Sequence, residues 1–173
     1  MKRNQITRDP RLKHLDLVDI SKEVFDLAGS YSGIEYSNPL RDPRVTTFVQ
    51  DGRFFLQASP DRYDIITGEP PPLKVAGTVN LYTQQFFELM HDRLKDGGIA
   101  TFWLPISQLT TDETKAILRA FHNVFPSASV WATCDLEWIM MGSKGPFQQP
   151  DTAVGSLILE RREDALRLWP DRY

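Results

Sequence analysis

Three carboxylates in the first half of the chain stand where strand-like runs end. Asp19 closes the run HLDLVDI (residues 14–20), Asp51 follows RVTTFVQ, and Glu69 follows RYDIITG. In open parallel sheets, ligands bind beyond the carboxyl ends of the strands, so acids from successive strands would share one rim. There Asp19 could accept both hydroxyl protons of a ribose, and Asp51 could take an amino hydrogen from an adenine. Glu69 could serve as a base or hold a cationic group. Each acid also has a purely structural reading. Asp19 could belong to the turn that caps the helix after Ser21, and Asp51-Gly52 could be a hairpin turn between VTTF and RFFL. Glu69, ahead of Pro70-Pro71-Pro72, could be a solvated loop charge.

The elements that must position these acids follow from patterning. Short β-rich runs alternate with longer amphipathic ones, as expected of an α/β sheet. Strands are predicted over residues 14–20, 44–49, 62–67 and 99–104, with two closing strands over 129–133 and 137–141. Ser21 opens a helix that Gly29, Gly33 and Asn38-Pro39 break, and a short helix is predicted over 52–58. A longer one runs from about Asn80 to Lys95, with Tyr82, Phe86, Leu89, Met90 and Leu94 on one face. Gly97-Gly98 supplies its stop. Thr110 and Glu113 form a capping box for a helix carrying Ile117, Phe121 and Val124, which Pro126 ends. The expected fold is α/β, a Rossmann-like, mostly parallel sheet with an antiparallel C-terminal strand pair. Residues 1–13 are expected to be a charged N-terminal segment, residues 14–145 the α/β domain, and residues 146–173 a C-terminal tail with a surface helix.

Composition and missing motifs exclude several classes. The 173 residues carry 20 Lys+Arg against 23 Asp+Glu, a formal net charge of −3, which argues against nucleic-acid or anionic-membrane partners. The strongly apolar stretch at residues 99–106 is far short of the ~20 residues that span a bilayer. The single cysteine, Cys134, fits a reducing, cytoplasmic compartment. No two glycines lie two apart, so G-x-G-x-x-G is absent, and no phosphate-binding P-loop motif exists. Gly29-Ser30-Tyr31-Ser32-Gly33 places tyrosine where a nucleophile elbow needs serine. His14, His91 and His122 are too scattered to suggest a metal, and none is expected.

Residues 17–143 resemble the spermidine synthase (polyamine aminopropyltransferase) family, within the class I S-adenosylmethionine-dependent methyltransferase-like fold. The resemblance rests on VDISKEV, DPRVTTFVQDGRFFL, YDIITGEPPP, AGTVNLYTQQFFELMHDRLKDGGIATFWLP and FHNVFP, in that order. It implies that Asp19 takes the place of the ribose-binding acid, usually Glu. Asp51 and Gly52 then match the adenine-side pair, and Glu69 the acid that deprotonates the attacking amine, usually Asp. The reaction implied is transfer of an aminopropyl group from decarboxylated S-adenosylmethionine to putrescine, without a metal.

Three departures from that pattern shape the functional expectation. No second acid follows Glu69, where Pro70-Pro71-Pro72-Leu73 stands. Glu in place of Asp lengthens the base by one methylene, and an ångström of misplacement can cost ~10²-fold in rate. The family's glycine-rich nucleotide loop and the strand before it have no counterpart in the 13 glycine-free residues ahead of His14. The expectation is therefore a synthase-like chain, N-terminally truncated and lacking the usual first strand. The alternatives are a non-catalytic nucleoside-binding or assembly module, and a methyltransferase. The sheet would close by direct pairing of the strands ending at Asp19 and near Glu69, by a partner chain, or by homo-oligomerisation across an apolar seam.

Overall fold

The computed structural model describes residues 9–30, 38–71, 73–132 and 138–146. Strand β1 (Leu15–Asp19) pairs in parallel with β2 (Val45–Val49), placing Asp19 opposite Val49. Between them lies helix α1 (Lys22–Ser30), and after β2 comes α2 (Gly52–Ala58). Strand β3 (Tyr63–Gly68) then pairs in parallel with β4 (Leu94–Leu104), after helix α3 (Gln84–Arg93). Helix α4 (Thr111–Val124) leads to β5 (Ser129–Ala132) and β6 (Trp138–Ser143), an antiparallel pair as the spacing predicts. Strand β6 sits between β4 and β5 and is antiparallel to both, giving the order β3-β4-β6-β5.

The core fills the space between this four-stranded sheet and its helices. Alternate residues of β4, namely Ala100, Phe102 and Leu104, point inward together with Met140 of β6. Phe87 of α3 is the hub. Its ring meets those of Phe102 and Phe121 edge-on, at centroid distances of 5.4 and 5.0 Å, the favoured geometry for aromatic quadrupoles. Gly68 ends β3 because nothing larger fits: a Cβ there would lie 2.3 Å from the Phe102 ring. The capping box of α4 forms as predicted, with the Glu113 carboxylate accepting from Thr110 N–H at 2.7 Å.

Two boundaries differ from the sequence reading. The helix predicted from Asn80 to Lys95 is divided: residues Thr78–Tyr82 form a 3₁₀ turn, and α3 starts after Thr83, whose hydroxyl accepts the Phe86 N–H. Its end comes earlier, because Leu94 is taken into β4 opposite Tyr63. Gly97 and Gly98 therefore lie inside a strand rather than at a helix stop. Gly97 has φ +76°, and a Cβ on Gly98 would lie 2.8 Å from the Lys95 carbonyl. The strand register shifts there, between the Tyr63 and Ile65 pairs.

The sheet does not close by direct pairing. Strands β1 and β2 form one two-stranded sheet, and β3 opens a separate four-stranded one. Among the described residues no strand lies between β1 and β3, which leaves a notch between the two sheets. Its effect reaches the side chains, since Ile65 in the middle of β3 is 64% exposed. The break expected at Gly33, the thiol of Cys134 and the tail helix fall outside the described residues.

Candidate functional site

The rim of the first sheet is built from two turns that follow its strands. After β1, the Asp19 carboxylate bends back and its Oδ1 accepts the Ser21 N–H at 2.9 Å. After β2, Asp51 is the N-cap of α2, and its Oδ1 accepts the Phe54 N–H at 2.8 Å. The hairpin reading of Asp51-Gly52 is thus replaced by a strand-to-helix turn, since β2 pairs in parallel and α2 begins at Gly52. The Asp19 carbonyl accepts the Gln50 N–H at 2.9 Å, which sets the two acidic turns side by side. In each carboxylate one oxygen holds the turn, and among the described residues no protein donor engages the other.

Glu69 stands apart. It follows β3, across the notch, and its exposed side chain makes no hydrogen bond or ion pair among the described residues. The buried Pro70 behind it fixes where the backbone leaves the strand. The structure therefore brings Asp19, Asp51 and Gly52 together and leaves Glu69 on the neighbouring sheet. Arg53, next along α2, is committed elsewhere, donating to the Asn80 carbonyl at 3.0 Å.

A groove of about 300 Å³ lies on the α2 side of the notch, lined by Asp16, Phe48, Phe55 and Ser59 among others. At its floor is a network that reading for strand ends does not find. Asp16 is nearly buried, and its two oxygens accept from the Tyr63 hydroxyl at 2.8 Å and meet His14 Nε2 at 2.6 Å. The available signal was the two-residue spacing of His14 and Asp16, which puts both on one strand face. A second, wider hollow of about 570 Å³ lies where β3 and β4 begin, among Arg62, Lys95, Asp96 and Lys144, away from the rim acids. Its cations are already engaged: Lys95 with Asp64, and Arg62 and Lys144 with backbone carbonyls. Neither hollow includes the three rim acids. Among the described residues no group of acids, histidines or cysteines is arranged to hold a metal, and no helix is long and apolar enough to cross a membrane.

Comparison with known proteins places this arrangement first in a class. The chain superposes on the crystal structure of human methyltransferase-like protein 13 in complex with SAH (TM-score 0.68, 18% identity, 92% of this chain and 75% of that one). It also superposes on the crystal structure of spermidine synthase from Thermotoga maritima (TM-score 0.61, 20% identity, 77% and 46%). The fold is the Rossmann-like methyltransferase type. Residues 3–137 match the sequence model of the spermine/spermidine synthase domain, and the chain belongs to that family. Among similar relatives, polyamine aminopropyltransferase 2 of Pseudomonas aeruginosa is 31% identical over 111 residues, 63% of this chain and 32% of that protein. Polyamine aminopropyltransferase of Saccharolobus islandicus (strain Y.N.15.51 / Yellowstone #2) is 27% identical over 161 residues, 90% of this chain and 54% of that protein. The chain thus spans between a third and about half of the length of these relatives.

Proposed function

We propose that the chain acts as a cytoplasmic aminopropyltransferase-type domain that binds the nucleoside of decarboxylated S-adenosylmethionine at the Asp19–Asp51 rim. The observation that carries this is the pair of adjacent acidic turns. Each carboxylate spends one oxygen on its own turn, so it is held rigidly while the other oxygen is left to accept from a ligand. Such a pair matches a ligand rich in donors, the two hydroxyls of a ribose and the amino group of an adenine. Gly52, the first residue of α2, has open space where a Cβ would stand.

The co-substrate supplies an activated three-carbon chain on a sulfonium. Glu69 is the group on this chain suited to draw in a cationic amine such as putrescine and to take its proton. The amine nitrogen then attacks the carbon beside the sulfur, the carbon–sulfur bond breaks, and methylthioadenosine leaves with the bonding pair. The proton ends on Glu69. Mixing the chain with putrescine and decarboxylated S-adenosylmethionine should yield spermidine and methylthioadenosine in equal amounts by mass spectrometry. Glu69→Gln should slow this by about 10²-fold or more.

A second reading, nucleoside binding without transfer, is favoured by one feature: the notch separates Glu69 from the acids that would hold the nucleoside. Absence of product with retained methylthioadenosine binding would select it.

A further inference from the structure

The hollow where β3 and β4 begin has cationic walls. Arg62 Nη1 donates to the Leu94 carbonyl at 3.3 Å, and Lys144 Nζ donates to the same oxygen at 3.1 Å. Two positive charges thus converge on one acceptor, within about 6.5 Å of each other. Arg62 Nη1 also meets the Asp92 carbonyl at 2.8 Å. These acceptors are neutral and leave both charges uncompensated. Among the described residues neither cation makes an ion pair, whereas Lys95 does, with Asp64 at 2.8 Å. We propose that this hollow binds inorganic phosphate in its hydrogen phosphate form, with Arg62 and Lys144 holding its oxygens and Asp96 accepting from its O–H.

The donors left over suit a tetrahedral oxyanion. The carbonyl contacts engage each cation only in part. They occupy Nη1 of Arg62 and one of the three ammonium protons of Lys144. The Nε–Nη2 edge of Arg62 remains, and that edge matches two oxygens of a phosphate at once. Both cationic heads are also held in place. Leu94, whose carbonyl anchors them, is fully buried at the start of β4 opposite Tyr63. The Lys144 backbone exchanges hydrogen bonds with Gly97 and Gly98 at 2.8 and 2.9 Å. A site fixed by strand hydrogen bonds gives up little freedom when a ligand enters.

Charge and chemistry select the anion. Arg62, Lys95 and Lys144 surround the hollow against Asp96 and the Asp64 paired with Lys95, a local positive excess in a chain of formal net charge −3. Asp96 is the discriminating group. A carboxylate on the wall repels a fully ionised anion, but it accepts a hydrogen bond from one that keeps a hydroxyl. Near neutral pH inorganic phosphate keeps at least one O–H. Sulfate keeps none, and neither does the phosphodiester of a nucleic acid.

Amide-resolved NMR on the 173-residue chain tests this, with sodium phosphate titrated at neutral pH and ionic strength held constant with chloride. Amides of Leu94–Gly98 and Lys144 should shift saturably, with a midpoint in the millimolar range, and sulfate should bind about fivefold or more weakly. Lys144→Gln can still donate to the Leu94 carbonyl but lacks the charge, and it should weaken phosphate binding about tenfold or more. Asp96→Asn should bring sulfate and phosphate to similar affinities. Lys22→Gln, on α1, should leave both unchanged, and unshifted amides of α3 and α4 report an intact fold in every variant. No saturable shift up to about 50 mM phosphate, or the same shift with chloride alone, would overturn the proposal. Equal affinity in Lys144→Gln would overturn it too, and sulfate binding as tightly as phosphate in the wild-type chain would contradict the assignment to hydrogen phosphate.

Discussion

The Tyr63 hydroxyl donates a 2.8 Å hydrogen bond to Asp16 Oδ2, and this bond bridges two strands that share no backbone pairing. It links the β1-β2 sheet to the β3-β4 sheet at the floor of the notch. Burial, reinforced by the Asp16 carboxylate, raises the Tyr63 hydroxyl from its ordinary 10.0 to about 12. A raised folded value means that the neutral hydroxyl stabilises the fold fully below pH 10, and that this contribution disappears as pH rises from 10 to 12.

Tyr63→Phe should therefore lower unfolding free energy by about 1.5 kcal/mol at neutral pH, the usual worth of a hydrogen bond to a charged acceptor. Urea denaturation measures this. The variant should also flatten the decline in stability that the wild-type chain shows above pH 10. Unchanged stability would mean that the bond does not tie the sheets together.

A second prediction concerns the entry to β2. The Asp42 carboxylate accepts from Arg44 through both oxygens, at 2.9 and 2.7 Å, and Arg44 also donates to the carbonyls of Asp9 and Leu12. The Arg44 hydrogen bonds lower Asp42 from 3.8 to about 2. Because the folded value is depressed, the stabilisation is present above pH 3.8 and is lost as pH falls toward 2. Asp42→Asn should lower the urea midpoint at pH 7 and remove that part of the acid dependence. An acid profile identical to wild type would contradict it.

Packing gives a third. Gly68→Ala would drive a methyl group into the Phe102 ring, which three other aromatic rings already fix in place. The expected cost is about 1–3 kcal/mol, the typical penalty of overpacking. Phe102→Leu in the same chain should recover part of it by vacating the space, so the double variant should be more stable than the sum of the two changes.

Much of the fold was legible because the relevant forces are local. Thr110 and Glu113 announce a capping box from spacing alone, and Pro126 can only end the helix that follows from it. Gly97-Gly98 misled for the opposite reason. Glycine marks a helix stop as readily as a strand irregularity, and the choice was made by Leu94 pairing with Tyr63, thirty-one positions away in sequence. The acids show the same division. That Asp19, Asp51 and Glu69 follow successive strands was readable from patterning, and the structure sets the first two side by side and the third on the other sheet. The gap between Asp19 and Glu69 was legible only through the family resemblance, whose first strand has no counterpart ahead of His14, because strand order is a tertiary property that no local run encodes.

The central claim is that the Asp19–Asp51 rim holds a nucleoside, and titration calorimetry with methylthioadenosine tests it most directly. Two variants separate binding from folding: Asp19→Asn keeps the oxygen that accepts from Ser21, and Asp51→Ser keeps a competent helix cap. The account predicts binding by the wild-type chain and affinities about tenfold or more weaker in each variant, from loss of a charged acceptor. No heat of binding at millimolar methylthioadenosine, or equal affinity in all three proteins, would contradict it.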